Sequence, residues 1–429
     1  RAIAAVTLAL ATTLALAACS SSTGPSTAPS QTGTESAAPA EPATLTITTW
    51  RRDEPGIKDW WVEYAAAFEK EHPNVTVEVE NIAFADYVST LTTRLAAGSG
   101  PSTVDIPPPT PTLPAWAAGG LLKPIDDRIA GTDIEKLWPE SQSVFQWDGS
   151  TYGVLLVNYP FLLFYNEEIL ADAGIEVPTT AEELTAAIDK LTTGDQFGYT
   201  VTADNSVNFI REALKFQTGL GAKWAEPGTW RWTDPAVVAA VDVWRNAAKH
   251  SPRGVDVNAS RQAFLDGNVA MMIEGPYFIA AAQKASSPKA EGKLHVAPVP
   301  FETTPGDVSL GFALPAEGNE ANEDLAWAFI DGAASEQWQS RYAELTSSTV
   351  ARPGASDVLA SNPDAAVGAK AQAEAVPVVP MNLQGLRTRY ADFVSIAAPV
   401  FHQLIDTDVD TATALADLTA QLEAEKLLP

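Results

Sequence analysis

Cysteine is all but missing. One residue, Cys19, stands in a chain of 429, so no intramolecular disulfide can form. Histidine is scarce as well. His72, His250, His295 and His402 are scattered without ligand-like spacing, so neither a metal site nor a cofactor is expected. Basic residues number 27 against 54 acidic ones, for a formal charge of −27. Such a deficit of Lys and Arg disfavours nucleic acid or an anionic membrane surface as a partner, since phosphate binding needs clustered cations. Absent too are the G-x-S-x-G elbow, the G-x-x-x-x-G-K loop and the H-E-x-x-H helix. Adjacent acids (Asp126 and Asp127, Glu167 and Glu168, Glu182 and Glu183) fall at helix starts or loops, where they complement the helix dipole. Nothing assembles a nucleophile with a base, so catalysis is not expected.

What is present starts with an export signal. The apolar run 2–18 is too short and too poorly flanked for a stop-transfer helix and reads as a secretory h-region. It closes on Leu16, Ala17, Ala18 and Cys19, which match the lipobox of bacterial lipoproteins, where the Cys thiol receives a diacylglycerol. Residues 1–19 are therefore expected to form a lipoprotein signal with Cys19 as the lipidated residue. The chain is then held at the extracytoplasmic face of the cell membrane by its lipid alone. Residues 20–43 are rich in Ser, Thr, Pro, Gly and Ala without a hydrophobic period, the composition of a disordered tether.

Beyond the tether, 46% hydrophobic and 19% charged content is ordinary for a folded protein with real cores. Leu45–Trp50 reads as a strand. Trp60, Tyr64 and Phe68 recur every four residues on a helix over 59–72, stopped by Pro73. Val75, Val77 and Val79 alternate on a second strand, 84–97 is helical up to Gly98, and 103–106 is a short strand entering a proline run. This β-α-β-α-β order argues for an open, largely parallel sheet. Further on, Thr180 to Glu183 form a capping box, and Asp234-Pro235 opens a helix with Val237, Val241 and Trp244 on one face. Trp224, Trp230 and Trp232 suit either a core or a stacking surface. The chain ends in helices over 391–406, expected to be kinked or broken at Pro399, and 410–427.

The densest signal is FLDGNVAMMIEGPYF, residues 264–278. A helix ends at Gly267, which takes a left-handed cap at no steric cost. Val269, Met271 and Ile273 alternate with Ala270, Met272 and Glu274 as in a strand, and Gly275-Pro276 forces a turn that delivers Tyr277. A strand end that presents an aromatic in a turn is where open α/β sheets bind ligands.

Gly267, Ala270, Met271, Gly275 and Tyr277 fill the pattern "G-x-x-A-M-x-x-x-G-x-aromatic" of the extracellular solute-binding proteins of ABC importers, the group that includes maltose-binding protein. Residues 96–104 resemble that family's "a-x-G-x-x-P-D-v-v", with Ser102 in place of Asp. WAAGGLLKPIDD, 116–127, resembles its "f-a-a-a-G-x-l-x-P-l-d-d". Residues 152–184 resemble its "Y-G-x-P…l-x-Y-N-k-d-l-f-x-x-a-G-l…P-x-T-w-e-e-l", with Leu155 for the usual proline. The resemblance implies a type II periplasmic-binding-protein-like α/β fold, two lobes with open sheets and a ligand cleft between them. Lobe one would hold 44–154 and 299–348, lobe two 155–298 and 349–429. It further implies a monomer that captures a sugar or oligosaccharide and delivers it to an importer permease. Relatives of this fold also take glycerol phosphates, polyamines, peptides and metal ions, and a surface-anchored hydrolase is the alternative from another class.

On this reading Tyr277 stacks on the sugar, and Trp50 and Tyr390 could add further apolar plates. Arg51, Asp53, Asp105, Asn158 and Arg352 could hydrogen-bond hydroxyls, and Tyr159 is expected at the cleft from its place near the first crossover.

Overall fold

The structure is a computed structural model. It describes residues 42–428 apart from 55, 107–108 and 205–206; the leader, Cys19, nearly all of the tether and part of the proline run lie outside these.

Two sheets organise the chain. The first begins with β1, Ala43–Thr49, which pairs in parallel with β2, Val75–Asn81, and with β3, Thr103–Ile106. Helix α1, Ile57–Glu71, links β1 to β2, and α2, Phe84–Ala96, links β2 to β3. The four-residue aromatic spacing on α1 does what its period requires. Trp60, Trp61, Tyr64 and Phe68 are all buried, and Trp61 and Tyr64 reach Phe329, on a helix over Glu323–Ala333, at ring separations of 6.4 and 4.6 Å. Burying each such ring contributes about 1.5–3 kcal/mol.

Strand β4, Val154–Pro160, also belongs to the first sheet. The chain then crosses to the second sheet at Phe161 and enters β5, Leu162–Asn166. The sequence reading places this change after Val154. The observed crossing is later because residues 154–160 pair antiparallel with a strand that returns from the second sheet. The second sheet has β5 flanked by β7, Val269–Glu274, and β8, Leu294–Pro298, both antiparallel to it; β6, Phe197–Tyr199, lies parallel on the far side of β7. After β8 the chain returns as β9, Pro305–Ala313, which pairs with β3, β4 and finally β10, Val376–Pro377. The first sheet is mixed rather than largely parallel, because β4 and β9, which carry the chain between sheets, run against each other and β9 runs against β3.

Helix α3, Val207–Gly219, packs on α4, Pro235–Lys249, and on α5, Tyr390–Asp406, which runs through Pro399 as one helix. Trp224, Trp230 and Trp232 stack on Phe393 of α5 at 5.3–6.2 Å. They are buried core. The capping box is made, with Thr180 Oγ1 accepting from the Glu183 amide at 3.2 Å. Tyr165 and Asn166 end β5, and Asn166 caps the helix that follows, Glu167–Asp172, by accepting from Ile169 N.

Candidate functional site

The site grows from the end of β7. All six residues of that strand are buried, since it lies between β5 and β6 inside the sheet and packs against the helix Val257–Leu265. Gly267 before it has φ +73°, and a Cβ there would meet Lys289 at 2.5 Å, so both conformation and space call for glycine. At the other end Pro276 to Phe278 form a short 3-10 turn that lays the Tyr277 ring against Gly275, where a Cβ would lie 2.3 Å from the ring.

Here a cavity of about 480 Å³ opens between the two sheets. Trp50, Arg51, Glu54 and Phe84 line it from the first-sheet side; Tyr159 lines it from β4; Asn208, Arg211, Glu212 and Lys215 line it from α3. Val257, Asn258 and Arg261 of the helix Val257–Leu265 join Glu274 and Tyr277 to complete the lining.

Every cation in this lining has a carboxylate beside it. Arg51 pairs with Glu54 at 3.4 Å, Lys215 with Glu212 at 2.9 Å, Arg261 with Glu274 at 2.9 Å, and Arg211 with the half-buried Asp307 of β9. The last pair joins α3, which reaches the second sheet through Lys215 on the Ile273 carbonyl and Phe216 on Tyr199, to a strand of the first. Glu274 is the most heavily bonded acid. It accepts from the Gly275 amide at 2.9 Å, from Arg261 Nε at 2.9 Å and from the Tyr277 hydroxyl. Burial opposes its ionisation, but the charges of Arg261 and Lys215 and these hydrogen bonds overcome that and hold the carboxyl at about 2. Burial and the neighbouring Glu274 charge push the Tyr277 hydroxyl well up, so it stays a donor. Burial takes Tyr159 up to about 12. Lys215, 3% exposed, also donates to the Ile273 carbonyl at 2.8 Å. An ammonium has three donors; the third is shared between the Phe161 ring, 4.4 Å away, and the cavity that Lys215 lines. Burial pushes Glu212 upward against the pull of Lys215.

Of the nine expected ligand contacts, Trp50, Arg51, Tyr159 and Tyr277 line the cavity. The other five lie outside that lining. Asp53 is exposed and bound by Arg52 at 2.9 Å. Asp105, 1% exposed, sits behind Arg51 and accepts from Thr49 Oγ1 at 2.6 Å; burial drives its carboxyl well up despite Arg51. Asn158 is tied to Gln372 at 2.6 Å. Arg352 bridges to Asp133 at 2.8 Å with its guanidinium over Trp138. Tyr390 packs in the core beside Phe393. A position near a crossover does not fix which way a side chain points.

Arg211, Glu212 and Lys215 escape the sequence reading, as do Arg261 and Phe84 as site residues. The available signal was an adjacent Arg211 and Glu212 with Lys215 a turn further on in a stretch, FIREALKF, otherwise apolar enough to be buried. Among the described residues no His, Cys, Asp and Glu group could hold a metal ion, and no helix is long and apolar enough to cross a membrane.

Two lobes of mixed sheet with a polar, aromatic-edged cleft at their junction define a two-lobe solute-binding protein. The chain belongs to the family of bacterial extracellular solute-binding proteins, which it matches over residues 63–374; the family is one of binding proteins. It is 24% identical over 227 residues to the maltotriose-binding protein of Pyrococcus abyssi, covering 50% of this chain and 47% of that one. It resembles the GacH receptor of Streptomyces glaucescens with a TM-score of 0.77 at 24% identity, over 90% of this chain and 98% of that one. It also resembles maltose-bound MalE3 of T. maritima with a TM-score of 0.76 at 17% identity, over 89% and 100%.

Proposed function

We propose that this protein captures a neutral sugar or short oligosaccharide and delivers it to the permease of an ABC importer. One observation carries the choice of ligand: the cleft is charge-matched. Its four cations each face a carboxylate, so none is left to balance a phosphate. Glu212 and Lys215 instead offer an acceptor beside a donor, the pairing that neighbouring hydroxyls take. Aromatic residues on the same cavity suit the apolar C–H faces of a sugar ring. Relatives point the same way: the Pyrococcus abyssi protein is named for maltotriose, the MalE3 structure holds maltose, and GacH has been solved with acarbose.

The leader, ending at Cys19, anchors the protein by lipid to the outer face of the cell membrane, with 20–43 as its tether. The solute is held between a lobe built on the first sheet and one built on the second, and closure about the crossovers removes its water. Calorimetric titration with maltose, maltotriose, tagatose and glycerophosphocholine tests the reading. Stoichiometric binding of a neutral sugar without turnover is expected. Binding of glycerophosphocholine alone, or hydrolysis of a glycoside, would overturn it. Full-length protein should fractionate with membranes and Cys19→Ser should not; equal fractionation would remove the lipid anchor.

A further inference from the structure

Tyr277 is poorly placed to be the plate on which a sugar stacks. The guanidinium of Arg261 lies over its ring at 5.3 Å, Tyr159 meets it edge-on at 5.1 Å, and the ring rests against Gly275. Its hydroxyl is spent on Glu274 and on Arg261. This residue is a polar strut of the second-sheet wall.

The opposite wall has what that one lacks. Phe84 is 43% exposed and lines the cavity; among the described residues it is the one aromatic in the set of exposed large hydrophobic side chains. It opens α2 after Ala83, which provides no side-chain cap, so nothing in helix chemistry asks for an aromatic there. Leaving 43% of such a ring in water forgoes a large share of its burial energy, whereas the other rings of this chain's cores are covered. The ring is also held in place. Phe84 leans on Trp50 at 5.9 Å, and Trp50 meets Tyr87 edge-on at 5.1 Å. Tyr87 in turn is pinned through its hydroxyl to the carbonyls of Thr48 at 2.9 Å and Asp105 at 2.7 Å. The support runs from the buried sheet to the open ring, which costs little further ordering when a ligand arrives.

We infer that Phe84, backed by Trp50, is the apolar plate of the cleft: a pyranose or furanose lies with its C–H face on the first-sheet wall and its hydroxyls toward Glu212, Lys215 and Arg261. This rests on the neutral-sugar reading above and reverses the expected division of labour, in which the turn after β7 supplies the ring.

The test uses wild type, Phe84→Ala and Phe84→Trp on an array of neutral mono- to trisaccharides that includes maltose, maltotriose and tagatose, followed by calorimetry with the sugar bound best by wild type. Phe84→Ala should weaken binding at least tenfold, equivalent to about 1.4 kcal/mol, and Phe84→Trp should stay within about threefold of wild type, since a larger plate stacks at least as well. Because the side chain is 43% exposed and heads its helix, where Ala is also a good helix former, the sugar-free melting temperature of Phe84→Ala should fall only slightly, which separates lost stacking from lost structure. Sugar binding by Phe84→Ala at wild-type strength overturns the assignment while leaving the sugar reading intact. So does equal weakening by Ala and Trp. Wild type that binds none of the sugars overturns both readings, and that result is visible before any variant is compared.

Discussion

Replacing Glu274 by Gln removes one negative charge from between Arg261 and Lys215 and keeps an acceptor for the Gly275 amide. In the folded protein the carboxyl ionises at about 2 against an ordinary 4.5. At about 1.36 kcal/mol per unit of pKa this links to about 3 kcal/mol of stability at neutral pH. Hydrogen bonds to charged groups, at about 1.5–3 kcal/mol each, give the same scale. The Arg261 side chain is 28% exposed, so water partly replaces the lost partner, and a net cost of about 2–3 kcal/mol is expected for the variant. The pH dependence has a definite sign. A pKa depressed by folding stabilises fully above the unfolded value, and that stabilisation drains away as pH falls from about 4.5 towards 2. Urea unfolding of wild type and Glu274→Gln across this range should show the gap between them fall by more than half by about pH 3. A gap of constant size from neutral pH to about pH 3, or none at neutral pH, would refute the assignment of an ionised, cation-held Glu274.

Asp307→Asn should cost about 1–3 kcal/mol, because it leaves the half-buried Arg211 guanidinium without its carboxylate. The double change Asp307→Leu with Arg211→Met should recover much of this in denaturant unfolding, and no recovery would show that the pair does not act as a unit. Gly275→Ala should leave the fold intact yet weaken sugar binding, since the new Cβ would lie 2.3 Å from Cε1 of Tyr277 and must displace the ring; unchanged affinity by calorimetry would show that the ring turns aside freely.

The sequence made much of this architecture readable because periodic burial leaves a periodic trace. The α1 aromatics, the β2 valines and the 269–274 strand are all found where their spacing puts them. Trp50 and Tyr277 were within reach because a strand end delivers its next residues to a sheet edge. Arg352, Asn158 and Tyr390 show where that logic stops: each sits near a junction, yet Asp133, Gln372 and Phe393 already occupy it. The α3 charges were hidden for the opposite reason. Arg211 and Lys215 look like the wet stripe of an amphipathic helix, and only their enclosure by Asp307, Phe161 and Ile273, distant in sequence, turns them inward.

The order in which the first sheet is stitched has a consequence for folding. Strand β3 is complete at Ile106, but its partner β9 begins at Pro305. Roughly 200 residues separate them, so as the chain folds one flank of β3 stays bare until a contact of very high sequence separation closes, the kind that forms slowly. An open strand flank recruits any extended segment that drifts past. During that interval the chain relies on the shortness of β3, only 4 residues, to avoid pairing with its neighbours.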